Sequence, residues 1–419
     1  MVQPLVLVLV CAAALLAATA LALAAEPLAT VTVEAGKHDR LDTPVWAPLD
    51  VGLATWSAED GAFRQGGPWW PALTERRDGR DVPVPCQVAP GTPPRLWWIL
   101  GGKTAAGESR SFRVSRSGER PRRAADVRRS DETLDVTVGG KPVLRYRMAP
   151  VEPPAGVDRQ YARNAYIAPA WTPSGLVVTD DFPPDHLHQR GIWFSWTKTE
   201  FDGRHPDFWN MKDAAIRFAR MGPVAGGPVF ASFEPHHEHL DLKAPGGQMV
   251  ILEERWDVRV WNTGGPEAGY WLWDLVSTQR CAADRPLRLP KYHYGGLGYR
   301  GHREWLKQVS MRTSEGKTRA DGNETKARWL DLSGPLDGKR AGVLILIHPT
   351  NFRYPQPLRL NSEQPQICVA PSQEGDWAIE PGAEYVSRYR FVVHDGDVTD
   401  ATAARLWADF AEPPAVKVK

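Results

Sequence analysis

Alternating apolar and polar residues dominate the chain after its first 25 residues, and a period of two is typical of strands that bury one face. Residues 139–140 are Gly-Gly and predict a tight hairpin. Only residues 401–410 have a helical pattern, with Thr399 or Asp400 as its N-cap and Pro413 and Pro414 after its end. The alternation predicts strands at 30–33, 95–100, 111–114, 134–138, 141–147, 192–196, 229–234, 249–261, 270–280, 342–348, 366–370 and 385–394.

This pattern predicts an all-β protein with a small N-terminal β-sandwich, a large antiparallel β-sandwich and a short C-terminal helix. The segment 249–261 is long for a strand, and such lengths are typical of large sandwiches. The predicted regions are a leader at 1–25, the small sandwich at 26–116, an Arg-rich linker at 117–132, the large sandwich at 133–397, and the helix and tail at 398–419.

The sequence of the N-terminal segment predicts the cellular location of the protein. Residues 2–25 are apolar apart from Gln3 and Thr19, and the Ala-Leu-Ala at 22–24 matches the small-x-small rule of signal peptidase. We therefore predict cleavage after Ala24 or Ala25 and a secreted or periplasmic protein. An uncleaved anchor is the alternative, because the run is long enough to span a bilayer. Without the leader three cysteines remain, which allow one disulfide at most.

Charge and motifs exclude several function classes. With 51 Lys+Arg against 50 Asp+Glu, no global charge favours nucleic acid or an anionic membrane, so we predict neither as a partner beyond the leader. The chain lacks a P-loop, a Gly-x-Ser-x-Gly elbow, a His-Glu-x-x-His motif and an EF-hand loop. The glycines at 296, 298 and 301 match a dinucleotide fingerprint in letters, but no βαβ unit surrounds them. We predict no cofactor, and the oligomeric state stays open.

The densest polar run of the chain lies between residues 180 and 193 and includes Asp185 and Trp193. If this segment is extended, His186, His188 and Arg190 share one face. Such a face could transfer protons, bind an anion or sugar hydroxyls, or supply part of a metal site. The structural alternative is a loop in which aspartates pair with Arg190.

A second polar loop follows at residues 202–212. It carries Asp207 beside Trp209, and we predict that it forms the rim of a ligand cleft. Tryptophan is unusually frequent in this chain, with 18 residues against 12 Phe and 10 Tyr, and an indole face suits stacking on a sugar ring. Trp209 is therefore a candidate stacking platform, with ordinary core packing as the alternative.

Two later loops supply further candidates, with simple turn structure as the alternative for each. The first offers His293 and Tyr294 beside flexible glycines, with Tyr299 just beyond them. The second follows the most apolar strand of the chain, where polar residues are well placed at the mouth of a cleft. Its candidates are His348, Asn351 and Tyr354.

These motifs suggest a family. The runs VTDDFPPDHLHQRG at 178–191, DFW at 207–209, YGGLG at 294–298 and HPTNFRYP at 348–355 resemble the PmoA-like family of secreted bacterial proteins of unknown function. The resemblance covers residues 133–397 and implies a large supersandwich like that of galactose mutarotases and polysaccharide lyases. The family label comes from a multi-helix membrane subunit of methane monooxygenase. We reject methane oxidation because this chain has one apolar segment at most.

Six histidines, at 186, 188, 237, 239, 293 and 348, are the available metal ligands, and alternation places His237 and His239 on one face and His236 on the other. Arg190 would share a face with His186 and His188, and its fixed charge opposes a divalent cation. Gln189 also stands where the resemblance implies a third histidine. We therefore predict no tightly bound transition metal.

We predict a carbohydrate-active hydrolase or lyase that acts on a polysaccharide or a modified glycoside. His186 and His188 would act as acid and base, and Arg190 would hold an anionic or hydroxyl-rich group. Trp209 would stack on a sugar ring, while His293, Tyr294 and His348 line the opposite wall. A hydrolase needs two carboxylates, for which Asp185 and Asp207 are the available pair. The alternative is a non-catalytic carbohydrate-binding or cell-surface protein.

Overall fold

The computed structural model describes residues 27–50, 55–57, 62–64, 67–263 and 265–419, so the predicted leader lies outside the described residues. The helix α1 spans Asp400–Ala411, and short 3₁₀ turns lie at Arg159–Tyr161, Gly265–Ala268, Arg303–Trp305 and Pro371–Glu374. The strands are β1 Ala29–Glu34, β2 Arg40–Pro48, β3 Thr55–Trp56, β4 Phe63–Arg64, β5 Pro68–Arg77, β6 Arg80–Val84, β7 Cys86–Ala89, β8 Arg95–Thr104, β9 Ser109–Ser117, β10 Ala125–Arg129, β11 Thr133–Val138, β12 Lys141–Arg147, β13 Tyr166–Ala170, β14 Ile192–Ser195, β15 Ala214–Ala225, β16 Phe230–Asp241, β17 Met249–Trp261, β18 Tyr270–Cys281, β19 Leu287–Leu289, β20 Gly296–Arg300, β21 Ser310–Thr313, β22 Trp329–Leu336, β23 Lys339–Ile347, β24 Leu358–Leu360, β25 Gln366–Val369, β26 Trp377–Ile379, β27 Tyr385–Asp395 and β28 Ala415–Val418.

Two eight-stranded antiparallel sheets form the large sandwich. The first large sheet has the order β10-β11-β12-β13-β14-β20-β25-β24, and the second large sheet has the order β15-β16-β17-β18-β27-β23-β22-β21. The predicted all-β class with one C-terminal helix is confirmed. Thr399 caps that helix, as predicted, by accepting a hydrogen bond from the Thr402 backbone N–H.

One hydrophobic core fills the space between the two large sheets. The first large sheet contributes Ile192 and Phe194, and the second contributes Trp273 and Phe391 among others. The last two rings stack, with centroids 4.1 Å apart and planes only 3° from parallel. Full burial of one such side chain stabilises the fold by roughly 1.5–3 kcal/mol.

A carboxylate lies inside this core. Glu254 on β17 is buried, and it accepts hydrogen bonds from Trp256 Nε1 at 2.7 Å and from Ser277 Oγ at 2.5 Å. The rings of His237 and His239 also contact it, at 3.4 and 3.0 Å. Burial opposes ionisation of Glu254, but the two histidines hold its pKa well below the usual value. Hydrogen bonds from several side chains thus stabilise the charged form of this buried carboxylate.

The small sandwich packs a seven-stranded sheet (β28-β1-β9-β5-β4-β3, with β6 on β5) against a three-stranded sheet (β2-β8-β7). Our prediction treated residues after 411 as a tail, whereas β28 pairs with β1 and completes this sheet. Val416 packs against the core of the small sandwich. This contact explains why the C-terminal end of the chain returns to the N-terminal sandwich. The N-terminal and C-terminal segments therefore build one unit.

The predicted Arg-rich linker also differs from the structure. Its residues Ala125–Arg129 form β10, the edge strand of the first large sheet, because Ala125 and Val127 pack toward the core between its charged neighbours. The small sandwich meets the large one through Trp97 and Trp261, whose ring centroids are 5.0 Å apart. Gln87 Oε1 accepts hydrogen bonds from the Val229 and Phe230 backbone N–H groups.

Helix α1 is fixed at both faces. Leu406 and Trp407 pack on the outer face of the second large sheet. Arg40 of β2 is buried and donates to the Ala408 and Glu412 carbonyls at the end of the helix. A cation at this end satisfies carbonyls that lack helical partners. Within the described part of the chain, no helix is long and apolar enough to cross a membrane.

Glu254→Gln is expected to lower the free energy of unfolding by about 3–5 kcal/mol, because it removes the charge that the buried donors surround. Glu253→Gln is the matched control, since Glu253 is its partly exposed neighbour on the same strand and pairs with Arg280 at the surface. The control is expected to cost less than about 1 kcal/mol. Chemical denaturation measures both variants, and equal effects would contradict the assigned role of the core carboxylate.

Candidate functional site

The candidate site lies on the outer face of the first large sheet. In β14, Ile192 and Phe194 face the core, so Trp193 faces outward. Trp193 lies opposite Gly298 of β20. A β-carbon at Gly298 would come within 2.7 Å of the Trp193 indole, so glycine allows the ring to lie flat on the sheet. This ring forms the floor under the loops described below.

The polar run at 180–191 is a series of turns rather than an extended strand. The His186 backbone N–H donates to the Pro183 carbonyl, and the Gln189 N–H donates to the His186 carbonyl. The extended backbone that would place His186, His188 and Arg190 on one face is therefore not present in this run. His186 and His188 still lie together, with ring centroids 5.5 Å apart, but Arg190 points elsewhere.

Arg190 is a structural residue. Its guanidinium is fully buried, pairs with Asp181, and donates to the Tyr166 hydroxyl at 2.5 Å. It also lies over the Phe182 ring, 3.3 Å from the centroid. The predicted role of Arg190 as the group that holds an anion is incorrect, because every direction around it is already occupied.

Two further ion pairs hold the same loop. Arg300 on β20 binds both oxygens of Asp185, at 2.8 and 3.0 Å, and Arg303 binds Asp180 at 2.5 Å. Burial opposes ionisation of Asp185, but Arg300 lowers its pKa overall. Asp185 is thus a support of the loop and not a free carboxylate.

Gly191 closes the loop where only glycine fits. Its φ is +51°, and an added β-carbon would lie 2.1 Å from the Ile167 carbonyl oxygen. Any side chain would force the loop away from β13. The chain turns sharply at Gly191, and β14 begins at the next residue.

The loop at 202–212 forms a second wall. Asp207 accepts hydrogen bonds from the Asn210 backbone N–H at 2.9 Å and from Asn210 Nδ2 at 2.7 Å. The same amide donates to the Tyr294 hydroxyl at 3.2 Å. Burial raises the pKa of Asp207. This carboxylate positions Asn210 and Tyr294 and is not available as a hydrolytic partner of Asp185.

Trp209 is only 2% exposed and packs between Trp193 and Tyr294, with ring centroids 4.8 and 5.5 Å away. The predicted exposed stacking platform is therefore not present at Trp209. Trp209 forms part of the wall of a cavity instead.

The loops enclose a polar cavity of about 200 Å³. Five of the predicted site residues line it. We refer to it as the histidine cavity. Its lining consists of His186, His188, Gln189, Trp209, Asn210, His293, Tyr294, Arg359, Asn361 and Gln366.

His188 has a strongly lowered pKa and lines the histidine cavity. Burial, reinforced by the nearby positive charges of Arg163 and Arg300, lowers its pKa from 6.5 to about 4. His188 is therefore neutral at physiological pH and can accept a proton. His186 Nδ1 lies 3.4 Å from Asp185 but makes no hydrogen bond within the described structure.

Tyr294 and His293 also line the histidine cavity. Burial raises the pKa of the Tyr294 hydroxyl, so this group holds its proton at neutral pH. Burial and the charge of Arg359 lower the pKa of His293, although that side chain is largely exposed. The lining of the cavity thus includes a proton acceptor, His188, and a proton donor, Tyr294.

Besides Arg190, Asp185 and Asp207, four predicted site residues do not line the histidine cavity, and the fully buried Trp193 packs against Trp209 in its wall. Tyr299 faces the core and donates to the Val178 carbonyl, since its neighbours in β20 face outward. His348 packs against Phe410 of α1, with centroids 4.9 Å apart. Asn351 binds the backbone of Arg388, and Tyr354 packs against the apolar cores.

Sequence reasoning missed Arg359, Asn361, Gln366 and the role of Asn210. Arg359 lies between Leu358 and Leu360, which both face the core, so it projects from the outer face. This alternation was readable as Leu-Arg-Leu, but three residues are too short to stand out. Its proximity to histidines more than 60 residues away depends on the pairing of β24, β25 and β20.

The predicted pairing of His237 and His239 on one face is confirmed, although both face the core network around Glu254. His236 faces outward and contacts Glu234. Within the described ranges, no group of three or more His, Cys, Asp or Glu side chains is arranged to hold a metal ion. Cys86, Cys281 and Cys368 are all free.

Two of the larger cavities have less suitable chemistry. A groove of about 480 Å³ crosses the outer face of the second large sheet, but two of its arginines pair with glutamates, Arg255 with Glu234 and Arg280 with Glu253. A cavity of about 420 Å³ lies between the two sandwiches, and prolines, glycines and valines make up much of its lining. Among the described residues that line them, neither combines a histidine with a tyrosine.

The comparisons with known proteins place this site in a family. A profile described as "Family of unknown function (DUF6807)" matches residues 133–408, which include all residues that line the histidine cavity. No curated protein matches the chain.

Proposed function

The chain belongs to this family of unknown function, DUF6807, and from the geometry of the histidine cavity we propose that it is a carbohydrate-active enzyme. One observation carries the proposal. A neutral imidazole, that of His188, and a protonated phenol, that of Tyr294, line one small polar cavity. Such a pair can move two protons within one bound substrate.

The lining of the cavity favours elimination over hydrolysis. Glycoside hydrolysis commonly requires two carboxylates across the scissile bond. Among the described residues that line the histidine cavity, none is an aspartate or a glutamate. The nearest candidates, Asp185 and Asp207, are bound to Arg300 and Asn210. We therefore propose a lyase rather than a hydrolase.

In the proposed elimination, His188 takes a proton from the sugar carbon that neighbours an acidic substituent. The electron pair of that C–H bond becomes a carbon–carbon double bond with the next carbon. The glycosidic oxygen leaves from this second carbon and takes a proton from the Tyr294 hydroxyl. Exchange with water returns both side chains to their starting states.

The finer parts of the proposal rest on the sequence. The runs at 178–191 and 348–355 support a PmoA-like relationship, and the apolar leader supports a secreted or periplasmic location. Polysaccharides are accessible outside the cytoplasm, so this location fits a carbohydrate substrate. A non-catalytic carbohydrate-binding protein is the competing function, and the next experiment separates the two.

His188→Ala is expected to reduce turnover of the glycan substrate by about 10²- to 10⁴-fold, because it removes the proton acceptor. The measurement is release of unsaturated and reducing ends across a panel of polysaccharides. His236→Ala is the control, since that histidine lies on the outer face of the other large sheet. Binding of a glycan that survives His188→Ala, with no turnover by the unaltered protein, would select the binding function and contradict the enzyme.

The pH profile provides a separate test. His188 accepts a proton only when neutral, so kcat/KM is expected to fall as pH drops through its lowered pKa of about 4. Activity should therefore persist between pH 5 and 6, roughly one to two units above that pKa, where an ordinary histidine would be largely protonated. An acid limb at the usual histidine pKa of 6.5 would show that another group is the base.

A further inference from the structure

Arg359 is the only charged side chain among the described residues that line the histidine cavity, apart from the titratable histidines. It is half-buried on β24, and no carboxylate or carbonyl of the described structure binds it. The other arginines around the site are engaged, as Arg190 is with Asp181 and Arg300 with Asp185. An unpaired guanidinium at the wall of a polar cavity is a recognition group without its ligand.

Gln366 supplies a second, independent observation. Its side chain is 3% exposed and lines the same cavity, yet its Nε2 makes no hydrogen bond within the described structure. A buried amide donor without a partner is destabilising, so such groups normally meet a ligand or water. Gln366 begins β25, which pairs with the strand of Arg359.

The surroundings add positive charge. Arg163 is buried and donates to the His188 carbonyl, and no carboxylate lies within ion-pair distance of it among the described residues. The negative charge of Glu324 interacts with His293, but Glu324 is exposed and forms no ion pair with Arg359. The cavity therefore favours an anion.

We propose that Arg359 and Gln366 form a carboxylate-binding subsite, and that the substrate is an acidic glycan built from uronic acids. This inference rests on the proposed function and names its substrate class. A guanidinium binds the two coplanar oxygens of a carboxylate through parallel N–H donors. A cation on that carboxylate also stabilises the negative charge that develops when the neighbouring carbon loses its proton.

Calorimetry with oligosaccharides of galacturonate, glucuronate and mannuronate, each against its methyl ester, tests the subsite. The His188→Ala variant is used so that turnover does not consume the ligand. At least one acid is expected to bind roughly tenfold or more tightly than its ester. Introducing Arg359→Ala into the His188→Ala variant should remove that preference. Arg359→Lys keeps the charge without the paired donors, and it should restore only part of the preference.

The control is Arg122→Ala, which removes the same charge from an exposed position outside the cavity and should leave the preference intact. Thermal unfolding of each variant shows whether the fold is retained. Equal binding of acid and ester, or an acid preference that survives Arg359→Ala, would overturn the subsite and leave the enzyme proposal standing. Preference for sulfated over uronate oligosaccharides would overturn the carboxylate assignment. Turnover of no glycan would instead overturn the proposed function.

Discussion

Three ion pairs fix the loop on which the histidine cavity depends. Asp180, Asp181 and Asp185 lie within six residues, and each is bound by a different arginine. Arg190 lies within the loop's own exit, whereas Arg300 and Arg303 come from the end of β20 and the turn after it. A segment of turns gains little stability from backbone pairing, so these side chains determine where His186 and His188 point. Gly191 completes the constraint by allowing the chain to pass close to β13.

The same constraint limits the chemistry. Because the aspartates of the loop are all occupied by arginines, they cannot serve as acid and base, and the cavity is left with imidazole, phenol, amide and guanidinium groups. Burial of His188, reinforced by the positive charges around it, lowers its pKa and keeps it neutral. The structural alternative for this run, a loop in which aspartates pair with arginine, thus proved correct for Arg190 while the two histidines kept their place in a cavity.

The sequence was informative where local pattern decides the structure. Period-two alternation predicted the long strands such as Met249–Trp261, and capping chemistry predicted the helix at Asp400–Ala411. It failed where partners are distant in the chain. Arg190 was placed on the histidine face because alternation assumes an extended backbone, and Trp209 was expected to be exposed because its burial requires Trp193 and Tyr294. Arg359 was missed because β24 has three residues and reaches the site only through its neighbours in the sheet.

The most direct test of the central claim is a crystal structure of the His188→Ala variant with a bound uronate oligosaccharide. We expect a sugar ring in the histidine cavity, with its carboxylate within hydrogen-bond distance of Arg359 and Gln366 and its glycosidic oxygen toward Tyr294. A sugar bound instead in the groove near Arg280, or in the cavity between the two sandwiches, would contradict the account.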